Sequence, residues 1–348
     1  MVIRKISYYR VIVSLCLFMF LLSPVFGDEI SAVSFDKELP ENNIVTIQPD
    51  SLRILHNPLT GWVLYASMGV DAADFWAQYD HMYIPELGHN VSVTDYAHTL
   101  YIRASWTDFN PQEDVYGWKI DSNLRAYIEG AYQRNMRLAF RVVVDSRDKR
   151  TEFTPQFVKD AGAKGFMNKG KWSPYSDDSV FQKYYTKFVK ALAKDFNDPS
   201  KVEFIDGFGL GKWGEYHTMI YSTGDDTPKK AVFDWVTDIY SQAFDKVPVV
   251  INYHRWIGAG KDWVDDEHFA ADSEEMLEEA IKKGYSLRHD AFGMTTYYGS
   301  WERRFAKKYR NICPIIMEGG WIVKSHSYWQ DPRAVSYTHL RAHETVLD

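Results

Sequence analysis

Residues 204–217 read FIDGFGLGKWGEYH, and this stretch decides the fold. It begins as an apolar run that suits a strand buried on both faces, as in a parallel sheet. Four glycines then follow within residues 207–214, although glycine weakens a strand. We infer that the backbone bends sharply, or passes close to another group, where this strand ends. Glu215 lies at that point and is interpreted as a carboxylic acid at the mouth of a barrel, the alternative being a solvated surface charge.

The two ends of the chain differ from the part between them. Residues 1–27 combine a basic start, an apolar run and a small-residue cleavage site, which is the pattern of a secretory signal peptide. Cys16 leaves a lipoprotein as the alternative, but Leu15 is a poor residue before a lipidated cysteine. The mature protein is expected to be exported to the periplasm or the extracellular space, with no membrane span.

Residues 335–345 read VSYTHLRAHET and resemble translated sequencing adaptor. An ordinary helical tail is the alternative. We therefore expect a lead-in segment at residues 28–50 and one barrel, incomplete at its C-terminal end, at residues 51–334. Residues 335–348 are expected to be a non-native tail that packs against nothing.

Composition excludes several classes of function. The formal net charge is −7 and no basic stripe suited to nucleic acid is present in the sequence. Aromatic residues make up 16% of the chain, and exported proteins rich in Trp and Tyr often bind sugars, whose C–H faces stack on aromatic rings. Only Cys313 remains after signal removal, so no internal disulfide is possible. We expect a carbohydrate partner and neither a cofactor nor a metal.

Strand patterns alternate with helical patterns along the chain, which indicates a parallel α/β fold. Strands are predicted at residues 63–65, 99–104, 137–144, 201–210, 247–252, 290–296 and 313–317. Helices are predicted at residues 120–135, 181–195, 229–244, 273–283 and 301–309.

Polar residues follow strand after strand, as in a (β/α)8 TIM barrel that builds its site from the loops after its strands. A doubly wound open sheet is the alternative. The sequence therefore predicts a (β/α)8 barrel truncated after strand seven. Its successive strands are expected to carry Leu64, Ile102, Val142, Ile205, Val250, Met294 and Ile316.

Two glutamates follow predicted strands four and seven, each with Gly and Trp beside it. Glu215 follows Trp213-Gly214, and Glu318 precedes Gly319-Gly320-Trp321. Strands four and seven lie across a closed barrel from each other, so the two acids are able to face one substrate. Glycoside cleavage requires one neutral carboxylic acid and one ionised carboxylate. The alternative for Glu318 is a helix cap or a loop ion pair.

This pair of acids resembles the arrangement of the clan A retaining glycoside hydrolases, which include β-galactosidases. Residues 110–118, NPQEDVYGW, are similar to the E-P-x-x-G-x-Y-x-W segment after strand two of that clan. Residues 57–62, NPLTGW, together with WGEYH at 213–217, resemble more closely a poorly characterised bacterial family of exported glycosidase-like barrels. The resemblance covers about residues 55–321. It departs from the clan at Gly214, where an Asn that grips the sugar 2-hydroxyl is usual, and at Asn110, where an acid is usual.

The resemblance implies a retaining glycoside hydrolase with Glu215 as acid/base and Glu318 as nucleophile. Their carboxyl groups are expected to lie roughly 5–5.5 Å apart. Arg103 is expected to keep Glu318 ionised, and Tyr297 to hydrogen-bond it. The predicted substrate-binding residues are Arg103, Trp213, His217, Asn252, His254, Tyr297 and Trp321.

Each predicted binding residue has packing or a structural ion pair as its alternative role. A catalytically silent carbohydrate-binding barrel is the second hypothesis for the whole protein, kept open by Gly214. A metal-dependent hydrolase using His217, His254 and Asp145 is the third, although no ligand spacing in the sequence is specific for a metal.

Overall fold

The computed structural model describes residues 62–66, 68–85, 88–145, 152–168, 170–260, 267–292 and 298–319. The predicted signal peptide, lead-in and tail lie outside these ranges, as do Met294, Tyr297 and Trp321. What the sequence predicts for them stays a prediction.

The elements alternate between strand and helix along most of the described chain. They are β1 (Trp62–Tyr65), α1 (Ala72–Asp80), β2 (Met82–Ile84), β3 (His89–Val91), β4 (Ala97–Ser105), α2 (Trp106–Phe109), α3 (Gly117–Ile120), α4 (Ser122–Gln133), β5 (Arg137–Val143), α5 (Gln156–Asp160), β6 (Gly165–Asn168), β7 (Lys171–Pro174), α6 (Ser179–Phe196), β8 (Val202–Asp206), α7 (Lys229–Ala243), β9 (Val249–Asn252), α8 (Glu267–Lys282), β10 (Ser286–Phe292), α9 (Ser300–Tyr309) and β11 (Ile315–Gly319). No helix among these is long and apolar enough to cross a bilayer.

Seven strands form one parallel sheet in the order β1-β4-β5-β8-β9-β10-β11. The strand order along the sheet is therefore the order along the chain. A doubly wound sheet reverses its order at a switch point, and the seven described strands contain no reversal. The short pairs β2–β3 and β6–β7 are separate antiparallel hairpins.

The sheet curls, because side chains from distant strands meet inside it. Tyr101 on β4 and Arg288 on β10 are four strands apart, about 19 Å along a flat sheet. The Arg288 guanidinium nevertheless lies 5.3 Å from the centre of the Tyr101 ring. The seven strands thus form an open half-barrel, which confirms the predicted truncated (β/α)8 fold.

The interior of the half-barrel changes from apolar to charged towards the carboxyl ends of the strands. Its apolar layer consists of Tyr101, Ala139, Phe204, Val250 and Ile316. Side chains two residues apart on a strand lie on the same face. Each strand therefore adds a polar group above that layer, and these groups are Arg103, Arg141, Asp206, Asn252 and Glu318.

The outer face of the sheet packs against the helices in a second, larger core. Helix α6 shows how the sequence builds it. The buried side chains of α6 recur at three- and four-residue spacing, which forms one apolar stripe facing the sheet, and they include Phe181, Tyr185, Phe188, Val189 and Leu192. Asp178 caps the helix by accepting a 2.9 Å hydrogen bond from the Phe181 N–H.

Three predicted boundaries differ from the structure. The sequence predicts strand six at residues 290–296, whereas β10 begins at Ser286, because the inward charges on that strand interrupt its apolar pattern. Strand four ends at Asp206 rather than at residue 210, because the glycine-rich loop already begins at Gly207. Helix α8 begins at Glu267 rather than at residue 273. The two hairpins are too short to give a sequence pattern.

We predict that Phe188→Ala lowers the free energy of unfolding by about 3–5 kcal/mol. Phe188 is 1% exposed and packs against Trp106, Trp118 and Tyr185, so truncation leaves a cavity in the outer core. Tyr83→Ala is the control, because Tyr83 is 59% exposed and its loss should change stability by no more than about 0.5 kcal/mol. Urea unfolding compares the two, and equal losses would contradict the assignment of Phe188 to the core.

Candidate active site

The loop after β8 turns Glu215 into the barrel through an unusual backbone. Six residues within 209–218 have positive φ, and they are Gly209, Gly211, Trp213, Gly214, Tyr216 and Thr218. Such backbone costs a residue with a side chain about 1–3 kcal/mol. A Cβ at Gly209 would lie 2.6 Å from the Val142 carbonyl oxygen, so the loop passes close to β5. The sharp bend and close approach inferred from the glycines are confirmed.

Backbone hydrogen bonds hold the strained loop in place. The Tyr216 N–H donates to the Leu210 carbonyl at 2.9 Å, and the Lys212 N–H donates to the His217 carbonyl at 3.1 Å. The Tyr216 carbonyl in turn accepts from the Gly258 N–H at 2.8 Å, which ties this loop to the loop after β9. The position of Glu215 is therefore set by two neighbouring loops.

Glu215 is buried, and both of its carboxyl oxygens have partners. Arg141 Nη1 donates to Oε1 at 3.0 Å, and His217 Nε2 lies 3.3 Å from Oε2. His254 Nε2 donates to the Glu215 backbone carbonyl at 2.8 Å. The side chain is held on both sides, and its own backbone is anchored separately.

Arg141 is fully buried and joins three acids. Its Nε donates to Asp206 Oδ2 at 2.7 Å, its Nη1 to Glu215, and its Nη2 to Asp290 Oδ1 at 2.8 Å. The Tyr101 hydroxyl adds a 3.2 Å hydrogen bond to Asp206 Oδ2. Each of the three guanidinium nitrogens thus donates to a carboxylate, and the three carboxylates come from β8, the loop after it, and β10.

Arg288 extends this network to Glu318. Its Nη1 donates to Asp290 Oδ1 and lies 3.4 Å from Asp206 Oδ2, and its Nη2 donates to Glu318 Oε2. Asp290 Oδ1 therefore accepts from both arginines. The structure links Glu215 to Glu318 through Arg141, Asp290 and Arg288, which form one continuous chain of charged groups.

Burial makes this network hard to ionise completely. Burial raises the pKa of Glu215, and the charge of Asp290 raises it further, whereas His217 and Arg141 lower it. Burial also raises the pKa of Glu318, with Asp290 and Glu215 adding to the effect and Arg141 and Arg103 opposing it. Two arginines in direct contact do not neutralise four carboxylates, so we infer that the network holds at least one proton near neutral pH.

Arg103 does not pair with Glu318 in the described structure. It donates from Nη2 to the Trp213 carbonyl at 3.0 Å and from Nη1 to the Tyr65 hydroxyl at 3.4 Å. Arg288 makes the direct contact instead, because β10 is the neighbour of β11 in the sheet. The charge of Arg103 lowers the pKa of Glu318 from a distance, but burial outweighs this effect and raises that pKa to about 9.

The three predicted hydroxyl ligands, His217, Asn252 and His254, are buried next to the charged network. His254 Nε2 donates to the Glu215 carbonyl and Nδ1 accepts from the Trp256 N–H at 3.1 Å, so both ring nitrogens have protein partners. His217 Nδ1 lies 2.9 Å from Thr218 Oγ1. Asn252 Nδ2 donates to Asp290 Oδ2. These contacts place all three residues beside the acids, and their role as hydroxyl ligands stays a prediction.

Trp213 is the most exposed of the predicted site residues in the described chain, at 36%. Lys212 Nζ lies 4.1 Å from the centre of its ring, which is a cation–π contact. The Trp213 side chain is thus accessible to solvent in the loop after β8.

The two histidines predicted as metal ligands come together, with ring centres 5.6 Å apart. Asp145 instead lies beside Ser173 of hairpin β6–β7, with Ser173 Oγ 3.5 Å from its Oδ1. Within the described ranges, no group of three His, Cys, Asp or Glu side chains is arranged to hold a metal ion.

Sequence reasoning missed Arg141, Asp206, Arg288 and Asp290. A signal for the first was present, because Arg141 stands alone among apolar residues in LAFRVVV, and a charge buried in a strand requires partners. Arg288 was hidden because the predicted strand six begins four residues after β10 does, and this boundary left Asp290 at the start of the predicted strand. Their two-residue spacing on β10 would have placed both inside the barrel.

Comparisons with known proteins give distant matches in fold. No family model and no curated protein matches the chain. Endo-glycoceramidase II from Rhodococcus sp., solved as a lactosyl-enzyme intermediate, is 13% identical over 74% of this chain and 72% of its own, with a TM-score of 0.41. The exo-β-1,4-mannosidase Op5Man5 from Opitutaceae bacterium strain TAV5 is 13% identical over 80% of this chain and 49% of its own, with a TM-score of 0.47. An endogalactoceramidase is 14% identical over 80% of this chain and 73% of its own, with a TM-score of 0.40.

We predict that Asp206→Asn changes the pH dependence of stability. Burial raises the pKa of Asp206 to about 6, from 3.8. The folded state then binds more protons than the unfolded state between these values, so ionisation of Asp206 destabilises the fold as pH rises. The stability of Asp206→Asn relative to wild type should increase by up to about 3 kcal/mol between pH 4 and pH 7.

Urea unfolding at pH 4, 5, 6 and 7 measures this difference. Asp238→Asn is the matched control, because Asp238 is an exposed helical acid paired with Lys283, and its difference from wild type should stay nearly constant. A constant difference for Asp206→Asn would contradict the raised pKa.

Proposed function

We propose that the protein is a retaining glycoside hydrolase that acts on a poly- or oligosaccharide, with Glu215 as acid/base and Glu318 as nucleophile. One observation supports this most. Glu215 and Glu318 lie at the carboxyl ends of β8 and β11 and are joined by Arg141, Asp290 and Arg288. A pair of acids that compete for protons within one barrel interior is what glycoside cleavage requires.

The proposed roles require the shared proton to lie on Glu215 when substrate is bound, although in the free protein burial raises the pKa of Glu318 to about 9. The side chain of Glu215 is 8% exposed and that of Glu318 is 34% exposed, so Glu215 loses more solvation on ionising. Arg141 is also shared between Glu215 and two other acids. When Glu215 holds the proton, its charge no longer raises the pKa of Glu318, and Arg288 stabilises the Glu318 carboxylate.

The proposed reaction has two steps. Glu215 donates its proton to the glycosidic oxygen while a Glu318 oxygen attacks the anomeric carbon, and the bond to the leaving group breaks. Glu215, now ionised, then takes a proton from water, and that water attacks the anomeric carbon and releases Glu318. In this scheme His217 and Arg141 orient Glu215, and Trp213 offers an apolar face to the sugar.

We also propose that the protein is exported, as its first 27 residues predict. An exported barrel of this kind meets polysaccharide substrates in the periplasm or outside the cell. The exposed Trp213 in the loop after β8 suits such a substrate.

The second candidate is a carbohydrate-binding barrel without activity, and Gly214 favours it. This residue has φ +76°, and a Cβ there would lie 3.3 Å from the Val142 carbonyl oxygen. A side-chain amide at this position would be strained, so the 2-hydroxyl partner that the clan usually has is absent from residue 214. A barrel lacking that contact would bind a sugar with little stabilisation of the transition state.

We predict that Glu215→Ala lowers kcat on aryl glycosides by about 10²–10⁴-fold because the general acid/base is lost. Azide, a small nucleophile that needs no general base, should partly restore turnover of substrates with good leaving groups. Glu318→Ala should remove retaining hydrolysis almost entirely. Turnover of aryl glycosides and polysaccharides, with NMR detection of the first anomer formed, measures these effects.

Glu215→Gln keeps the shape of the side chain and controls for packing, and Glu129→Gln changes an exposed helical glutamate and should keep full activity. Sugar binding by the wild-type protein without turnover of any substrate would favour the silent barrel. Full activity of Glu318→Ala would contradict its assignment as nucleophile.

A further inference from the structure

We infer that Asp290 is a positioning residue that holds Glu215 and Glu318 together as one proton-sharing pair. This inference rests on the proposed function. Asp290 Oδ1 accepts from Arg141 Nη2 at 2.8 Å and from Arg288 Nη1, and each arginine also binds one of the two glutamates. Asp290 is therefore the carboxylate common to both halves of the site.

The contacts of Asp290 give it an indirect role. Its side chain is 7% exposed, and both carboxyl oxygens are used, Oδ1 by the two arginines and Oδ2 by Asn252 Nδ2. Three donors therefore fix the orientation of this carboxylate, one from each arginine and one from Asn252. It fixes the directions of the two guanidinium groups, and these in turn fix Glu215 and Glu318.

The register of the sheet brings residue 290 close to both glutamates. Arg288 pairs with Asn252 on β9 and with Ile316 on β11. Asp290 and Glu318 lie two residues beyond Arg288 and Ile316 on adjacent strands. The register shifts between His289 and Phe292, and the contacts that both carboxylates make with Arg288 show that their side chains meet in the interior. Glu215 approaches the same interior from the loop after β8. A charge at residue 290 is consequently placed between the two acids.

A fixed charge at residue 290 also tunes both acids. After burial, the charge of Asp290 is the next largest cause that raises the pKa of Glu215 and of Glu318. Other titratable or charged groups act in the same interior, and these are Tyr101 and Arg103 on β4, Arg141 on β5, Asp206 on β8, Arg288 on β10, and His217 and His254 in the loops. His289 lies next to Asp290 on the opposite face of β10, against Tyr253 and Tyr298. Without the negative charge of Asp290, the two guanidinium groups stabilise the ionised forms of Glu215 and Glu318 more strongly. The pKa values of both glutamates should therefore fall.

The test is the pH profile of kcat/KM for Asp290→Asn. Both limbs of the bell should move to lower pH by roughly one to two units, because the nucleophile and the acid both lose a proton more readily. Asp290→Glu keeps the charge and should keep the wild-type position of the bell, with a lower kcat from imperfect placement. Asp238→Asn, on the surface of α7, should leave the profile unchanged. A purely structural role for Asp290 would lower activity at every pH without moving the bell.

Carboxyl ¹³C NMR titration of the same proteins measures the pKa values of Glu215 and Glu318 without turnover, with Glu215→Gln and Glu318→Gln for assignment. Lower values for both acids in Asp290→Asn are expected. Unchanged values would overturn the inference even if the enzyme is active. Absence of activity in wild type, with the pKa values shifted, would instead overturn the proposed function. If Asp290→Asn does not fold, a displaced bell in Asp290→Glu would overturn the inference.

Discussion

The buried guanidinium of Arg141 is the constraint on which the site depends. Removing a charge from water costs several kcal/mol, so a buried arginine is stable only with well-placed acids around it. Arg141 is fully buried on β5, and its partners come from β8, the loop after β8, and β10. Asp206 is the neighbour of Arg141 on the adjacent strand, but Asp290 lies three strands away, so its pairing with Arg141 requires the sheet to curl.

The loops after β8 and β9 are also held in fixed conformations. Left-handed backbone at Trp213, Tyr216 and Thr218 is tolerated because it aims Glu215 at Arg141. The loop after β9 is braced in a comparable way. The fully buried Glu302 accepts from the Arg255 guanidinium and from the backbone N–H groups of Arg255 and Gly299. Rigid loops of this kind keep acids at fixed positions, which proton transfer to a bound substrate requires.

Local pattern was enough to predict the parallel barrel, because apolar strands and amphipathic helices carry their period in the sequence itself. It also indicated the sharp bend that leads to Glu215, since glycines supply several of the positive φ angles of the loop. The partners of the acids were harder to predict. Arg141 and Asp290 are 149 residues apart in the chain, and only the closing of the sheet brings them within hydrogen-bonding distance. Arg103 was expected to pair with Glu318, yet sheet order gives that contact to Arg288.

The central claim is that Glu215 and Glu318 form one retaining site, and trapping the covalent intermediate tests it most directly. The protein is incubated with a panel of dinitrophenyl 2-deoxy-2-fluoroglycosides, whose fluorine slows both steps while the good leaving group keeps the first step fast enough to observe. Intact mass and peptide mapping then locate the label. The account predicts one glycosyl group per chain, attached to Glu318. Label on any other residue, or hydrolysis of the parent glycosides with inversion and no label, would contradict it.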